Sequence, residues 1–195
     1  MKLQDLFENT ENVDIAHRKL TDMIEISQQM DWGITIRSDF YCHDNKLTTL
    51  EGCPENIMGV FNCSKNNLKS LEFCPLSVKK SFIAKNNEIE TVEFMPKYVK
   101  GDLDLSNNNI KSLEGIDKVL HHLEGKIILT GNPIKKGLGS LVRVDGINEV
   151  VFQTSDQQAR LAFQKLNNWL MKNESISVFE SLYVEFKFYG LESFL

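Results

Sequence analysis

Four asparagines stand 21 residues apart, at Asn45, Asn66, Asn87 and Asn108, and a fifth, Asn132, follows after 24 more. Each ends the same short phrase: Phe40-x-Cys42-x-x-Asn45-x-Leu47, Phe61-x-Cys63-x-x-Asn66-x-Leu68, Phe82-x-Ala84-x-x-Asn87-x-Ile89, Leu103-x-Leu105-x-x-Asn108-x-Ile110 and Ile127-x-Leu129-x-x-Asn132-x-Ile134. Five copies at nearly one period mark a repeat. A unit this short cannot bury its apolar face alone, so the chain must stack its units as rungs of a solenoid.

The alternation of apolar residues reads as a strand, because successive side chains of a strand point to opposite faces. Phe40 and Cys42 then face the interior, while Tyr41 and His43 face out onto the sheet. The Asn follows where the chain turns inward and leaves backbone groups unpaired. An amide supplies both donors and acceptors, and a buried polar group left unpaired costs on the order of 1–3 kcal/mol, so a column of Asn satisfies the turns rung by rung. In the second half of each unit, Leu50, Leu71, Val92 and Leu113 form another inward column. Cys53-Pro54, Cys74-Pro75, Met95-Pro96 and Ile116-Asp117 follow, and Ile57, Val78, Val99 and Leu120 close the units. Proline lacks an amide hydrogen and resists helix and central strand. The return arm is therefore expected to be extended or irregular, polyproline-like or a single tight turn, and not a row of helices.

The chain suits one elongated domain. No window approaches the 18 or so uninterrupted apolar residues of a membrane span, and the polar start Met-Lys-Leu-Gln-Asp does not read as a signal peptide. A soluble, cytoplasmic protein with no membrane partner is expected. The net charge of −5 is uneven: residues 1–33 carry −4, residues 34–136 carry +1 and residues 137–195 carry −2. No strongly basic face is available to hold phosphates, which disfavours nucleic acid as a partner; Lys79, Lys80, Lys85, Lys97 and Lys100 offer a modest local patch. All four cysteines fall on inward positions, and their gaps of 11, 10 and 11 residues contain no short metal-ligand spacing. They read as free packing thiols; no metal and no cofactor are expected.

A stacked sheet needs its ends closed. At the front, Ala16, Leu20, Met23, Ile24, Ser27 and Met30 fall on one stripe at helical spacing, which predicts a helix from Asn12 through Met30. A shorter helix is read around Leu3, Leu6 and Phe7, and Ile34-Thr35-Ile36 alternates like a strand after Trp32. At the back, Val150-x-Phe152 fits a sixth rung without its Asn, and Leu141 to Val144 with Asp145-Gly146 suggests an irregular rung or short hairpin. Ser155 and Gln158 have capping-box spacing ahead of the stripe Ala159, Ala162, Phe163, Leu166, Trp169 and Leu170. A second helix is placed from near Ser177 through Phe179, Leu182, Tyr183 and Phe186, closed by Gly190.

The repeat phrase is that of a leucine-rich repeat. Leu50-Glu51-Gly52-Cys53-Pro54, Phe61-Asn62-Cys63-Ser64-Lys65-Asn66-Asn67-Leu68, Asn132-Pro133-Ile134 and the run Gly137 to Val142 resemble leucine-rich-repeat proteins encoded by large tailed bacteriophages, over roughly residues 40–190. These readings together give an α/β solenoid of about five to six rungs with a 21-residue period: an N-terminal helical cap over residues 1–36, repeats over 37–136, and an irregular rung with a two-helix cap over 137–195. The resemblance implies no activity and no defined site. The repeats are also similar to those of enterobacterial effector ubiquitin ligases. The 59 residues after Lys136 are too few for that catalytic domain, and no thiol is left over as a nucleophile.

His43 is read as a solvated surface histidine, and His121-His122 lacks partners at metal-ligand spacing. Gly137-x-Gly139 reads as a turn, not a phosphate loop. With no acid–base or nucleophile pair, the chain is not expected to be an enzyme. The outward columns of the concave sheet mix aromatic, apolar and charged residues, which suits a protein partner: Tyr41, Asn62, Ile83, Asp104 and Ile128 in one, His43, Ser64, Lys85, Ser106 and Thr130 in the next, and Asp39, Val60, Ser81, Asp102 and Lys126 in a third. The expected contacts are Tyr41, His43, Asn62, Ser64, Ile83, Lys85, Asp104 and Ser106. The rival expectation is a structural, virion-associated protein that self-associates weakly through its ends.

Overall fold

The computed structural model describes residues 12–28, 35–171 and 179–195. Two parallel sheets are built by strands that alternate along the chain. The first contains β1 (Val13–Asp14), β3 (Phe40–Tyr41), β5 (Phe61–Asn62), β7 (Phe82–Ile83), β9 (Leu103–Asp104), β11 (Lys126–Ile128) and β12 (Glu149–Val151), side by side in that order. The second contains β2 (Thr35–Ile36), β4 (Asn56–Ile57), β6 (Ser77–Val78), β8 (Tyr98–Val99) and β10 (His122–Leu123). The molecule is thus a parallel β-solenoid of about six turns with few helices. The return arm is extended, as the prolines require, and its strands are short: Pro54, Pro75 and Pro96 are buried just ahead of β4, β6 and β8.

Register follows the repeat phrase, since Phe40, Phe61, Phe82, Leu103, Ile127 and Val150 pair in succession. Their side chains fill the interior, where the rings of Phe40 and Phe61 stack at 5.7 Å and those of Phe61 and Phe82 lie at 5.2 Å. Ile15, Cys42, Cys63, Ala84, Leu105 and Leu129 form the next buried column. The closing column differs from expectation in the longer fourth unit. A single helical turn, α2 (Ile116–Val119), is inserted there, so Leu123 pairs with Val99 and Leu120 is buried beside the inserted turn.

The asparagine column works as a set of staples between rungs. The Nδ2 of Asn66 donates to the carbonyl of Cys63 in its own rung (2.9 Å) and of Cys42 in the rung before (3.1 Å), while its Oδ1 accepts the Leu47 N–H at 3.0 Å. Asn87, Asn108 and Asn132 repeat the scheme, accepting from Leu68, Ile89 and Ile110. Asn45 staples to residues before the first phrase, donating to Ile15 and Cys42 and accepting from Arg18 and Leu20.

Those contacts expose the largest departure from the sequence reading. The helix expected from Asn12 through Met30 is replaced by a further rung, in which β1 pairs with β3 and only α1 (Ile24–Gln28) is helical. Val13 and Ile15 are buried on a period of two. Asp14 Oδ1 accepts from the Ala16 N–H at 2.9 Å, and His17 and Lys19 adopt positive φ, which a helix cannot contain. Three backbone bonds to β3 and its continuation, from Val13, Ile15 and His17 to Asp39, Tyr41 and His43, outweigh the helical spacing. The readings around Leu3, Leu6 and Phe7, and those at Met30, Trp32 and Ile34, lie outside the described residues.

A second ladder runs at the strand starts. Side chains of Asn12, Asp39, Ser81 and Asp102 accept the backbone N–H of the following rung, from Asp39, Val60, Asp102 and Lys126 respectively, at 2.7–3.2 Å. Where Asp39, Ser81 or Asp102 does this, the approaching chain carries Gly59, Gly101 or Gly125; a Cβ on them would come within 2.1–2.8 Å of the acceptor residue and its neighbour's backbone. Lys80 follows Val60, which accepts nothing from its side chain, and there no glycine is needed.

At the far end, α3 (Leu138–Leu141) and the turn through Gly146 connect β11 to β12 without a hairpin, since β12 runs parallel. Helix α4 (Gln157–Met171) packs on β12 through the expected stripe, all six members of which are buried. Its N-cap is Asp156, not Ser155: Asp156 Oδ1 accepts from Gln158 and Ala159. Asn167 takes the open edge of β12, donating to the Val150 carbonyl at 2.7 Å and accepting its N–H at 2.8 Å. Helix α5 (Phe179–Phe188) packs on α4 and ends at Gly190, which is left-handed, with Leu191 N–H bonded to Phe186. The reading of its start near Ser177 lies outside the described residues.

Asn87→Ala is expected to cost roughly 2–4 kcal/mol, because Leu68 N–H and the Cys63 carbonyl lose their buried partner; Asn45→Ala, at the half-exposed first staple, costs less. Urea titration of both variants measures the difference. Gly101→Ala is expected to cost about 1–3 kcal/mol by overpacking against Ser81, whereas Lys80→Ala in the equivalent position leaves the midpoint unchanged.

Candidate functional site

The outward face of the seven-stranded sheet carries the expected columns in register, and the front rung extends them with Asp14 and Ala16. Most side chains on this face are half-buried and tied to one another. Asn62 Oδ1 accepts both the N–H and the hydroxyl of Ser64, at 3.0 and 2.6 Å. Asp104 repeats the arrangement with Ser106 and lies 3.8 Å from the Lys85 ammonium. Ser64 is itself buried, so its hydroxyl is a brace for Asn62. Tyr41 donates to Asp39 Oδ2 at 2.9 Å. Burial pushes the Asp39 carboxyl up, but the Val60 N–H, the Tyr41 hydroxyl and Lys80 together hold it below the ordinary value. Burial and the Asp39 carboxylate raise Tyr41 in turn. Ile83 stands between these polar clusters, and Ile128 is the other aliphatic residue of its column.

His43 is not a solvated surface group. Its ring lies edge-on to Tyr41 at 6.0 Å and to His17 at 5.1 Å, and His17 Nδ1 is 3.0 Å from Asp44 Oδ2. Nδ1 of His43 is buried with no hydrogen-bond partner among the described residues. The rungs thus bring Tyr41, His43 and His17 into one aromatic cluster that the sequence could not reveal, because His17 was assigned to a helix.

Cys42, Cys63 and Cys74 are buried and Cys53 is half-buried; all four are free thiols. Burial raises every one of them above the ordinary thiol value, so they remain protonated packing atoms and poor nucleophiles. A shallow cavity of about 370 Å³ between β12 and α4, beside Val150, Phe152 and Phe163, is lined otherwise by amides and Arg160; it holds no acid–base pair.

Sequence reasoning also missed a charge cluster on the second sheet. His122 Nδ1 is 2.7 Å from Asp145 Oδ2, and Nε2 is 3.3 Å from Glu124 Oε1, which in turn lies 3.3 Å from Lys100. Both ring nitrogens face carboxylates, an arrangement that favours the doubly protonated imidazolium. Asp145 and Glu124 accordingly raise His122, and His122 and Lys100 lower Glu124. The only forewarning is the insertion in the fourth unit, which brings His122 into the strand. No helix among the described residues is long and apolar enough to cross a membrane.

A group whose folded value is raised stabilises below its unfolded value and loses that contribution as pH rises through the folded one. Raising the pH from about 6 to about 8.5 is therefore expected to lower the melting temperature of wild type more than that of His122→Gln, as thermal unfolding at each pH measures.

No protein-family model matches this chain, and no curated protein matches it significantly.

Proposed function

We propose that the chain is a leucine-rich-repeat solenoid with a 21-residue period and a helical C-terminal cap, and that it acts as a non-enzymatic module binding a partner protein on the concave, seven-stranded sheet. The observation that carries this reading is the outward face itself. Its side chains are held in fixed rotamers by the Asn62–Ser64, Asp104–Ser106 and Tyr41–Asp39 bonds, so binding costs little further ordering. Tyr41 and Ile83 supply apolar anchors among these polar groups, a mixture suited to a protein surface. The resemblance to repeat proteins of large tailed bacteriophages makes a host protein the natural target and the host cytoplasm the place of action. Affinity capture from the relevant lysate is expected to recover a partner with wild type and to lose it with combined Tyr41→Ala, Ile83→Ala and Lys85→Ala; retention by the variant would overturn the assignment.

A structural or assembly role through the ends is the second reading. It is favoured by the exposure of Met171, Tyr183, Phe188 and Tyr189 on the C-terminal helices. Light scattering decides between the two: a mass that grows with concentration supports assembly, and a constant monomer mass rejects it.

A further inference from the structure

Three of the return arms begin with a turn whose third residue lies in the left-handed region. Leu50–Cys53 and Leu113–Ile116 place glycine there, Gly52 at φ 96° and Gly115 at φ 83°, with the Cys53 and Ile116 N–H groups bonded back to Leu50 and Leu113. The equivalent turn Leu71–Cys74 makes the same bond at 3.0 Å, but its third residue is Phe73, at φ 65°. A bulky residue there is a genuine outlier, because its Cβ crowds the backbone. Phe73 gains no burial in exchange, being 53% exposed. Phe94 holds the same sequence position on the next rung, without a left-handed φ, and is 42% exposed. Leu76 and Tyr98, whose N–H is bonded to the Leu76 carbonyl, continue the apolar surface at 42% and 47% exposure.

We propose that this rim of turns, centred on Phe73 and Phe94, is a second interaction surface that docks a cationic, apolar segment of a partner protein. Charge complementarity selects the occupant. The residue before each turn's third position is a glutamate, giving the exposed column Glu51, Glu72, Glu93 and Glu114. Glu114 is neutralised by Lys136 at 2.6 Å, but Glu51, Glu72 and Glu93 have no ion-pair partner among the described residues. In a rung-to-rung stack these carboxylates stand beside the exposed rings. Lysine or arginine on the incoming segment would meet them while its apolar side chains cover Phe73, Phe94 and Leu76. Lysines flank this surface at Lys69, three residues before Glu72, at Lys97, in the column of Leu76, and at Lys79, Lys80 and Lys100 further along the arm. The same negative column repels an anionic lipid surface. Exposed aromatics framed by charge are the pattern of an interface centre, and a strained backbone that holds one of them outward is explained by function and not by folding.

The test measures fluorescence anisotropy with a labelled peptide of about eight residues, alternating lysine and leucine around one tryptophan, against its glutamate–leucine counterpart. The cationic peptide is expected to bind saturably, more weakly as salt rises, and the acidic one not at all. Phe73→Gly suits the turn, so it is expected to raise the melting temperature by about 2–4 °C while weakening peptide binding at least tenfold (about a hot-spot loss). Glu72→Gln with Glu93→Gln is expected to weaken binding and flatten its salt dependence. Combined Tyr41→Ala, Ile83→Ala and Lys85→Ala leaves peptide binding unchanged, which separates this surface from the sheet face. No saturable binding up to about 1 mM, equal binding of the acidic peptide, or full affinity in Phe73→Gly would overturn the proposal. So would a dimer or binding to phosphatidylserine vesicles that Phe73→Gly abolishes.

Discussion

The inter-rung amide bond of the asparagine column is the interaction on which the rest of this molecule depends. The strands are only two or three residues long, too short for their own ladders to fix register. The Asn side chain adds three bonds at each corner, two of them to the preceding rung, in a place water does not reach. An amide is the side chain that can do so, because one group must donate to two carbonyls and accept one N–H. Fixing the corner fixes which residues face in, and so aligns Phe40, Phe61 and Phe82 inside and Tyr41, Asn62 and Ile83 outside.

Packing at the strand starts obeys a complementary rule that couples adjacent units. From Asp39 onward a side-chain acceptor on one rung comes with a missing side chain on the next, Asp39 with Gly59, Ser81 with Gly101 and Asp102 with Gly125, while Asn12 at the front faces Ser38. Val60 and Lys80 break both halves of the rule together. The repeats are therefore not interchangeable modules; each is fitted to its predecessor, which explains why the phrases match while the residues around them vary.

Much of the fold was legible in the sequence because the Asn phrase marks both the period and the inward faces. The front rung was not, for a physical reason. An Asn staples its rung to the one before; β1 is the edge strand among the described residues, and Arg18 stands where the mark would be. Without it, Val13, Ile15 and Leu20 are too few to distinguish period two from the helical stripe that shares Leu20 and Met23. Alternation told which side chains point outward on the sheet, but not that Ser64 braces Asn62 or that His17 meets His43. The His122 cluster depends on a three-residue insertion whose path no local pattern specifies, and the strain at Phe73 is visible only once Gly52 and Gly115 are seen to be left-handed.

The staples also give the solenoid a sense of direction. Each Asn satisfies backbone groups of the preceding unit, so deleting the first rung frees the Asn45 amide, which can turn to water, along with the edge groups of β3, whereas deleting the last also strips side-chain partners from turn groups of the unit before it. Among the described residues the two ends differ: the front begins with the rung of β1, while the back carries α4, whose Asn167 occupies the terminal strand. For a chain made from its N-terminus, each emerging unit brings the amide that closes the one already made. At every stage of synthesis, only the newest rung is left open.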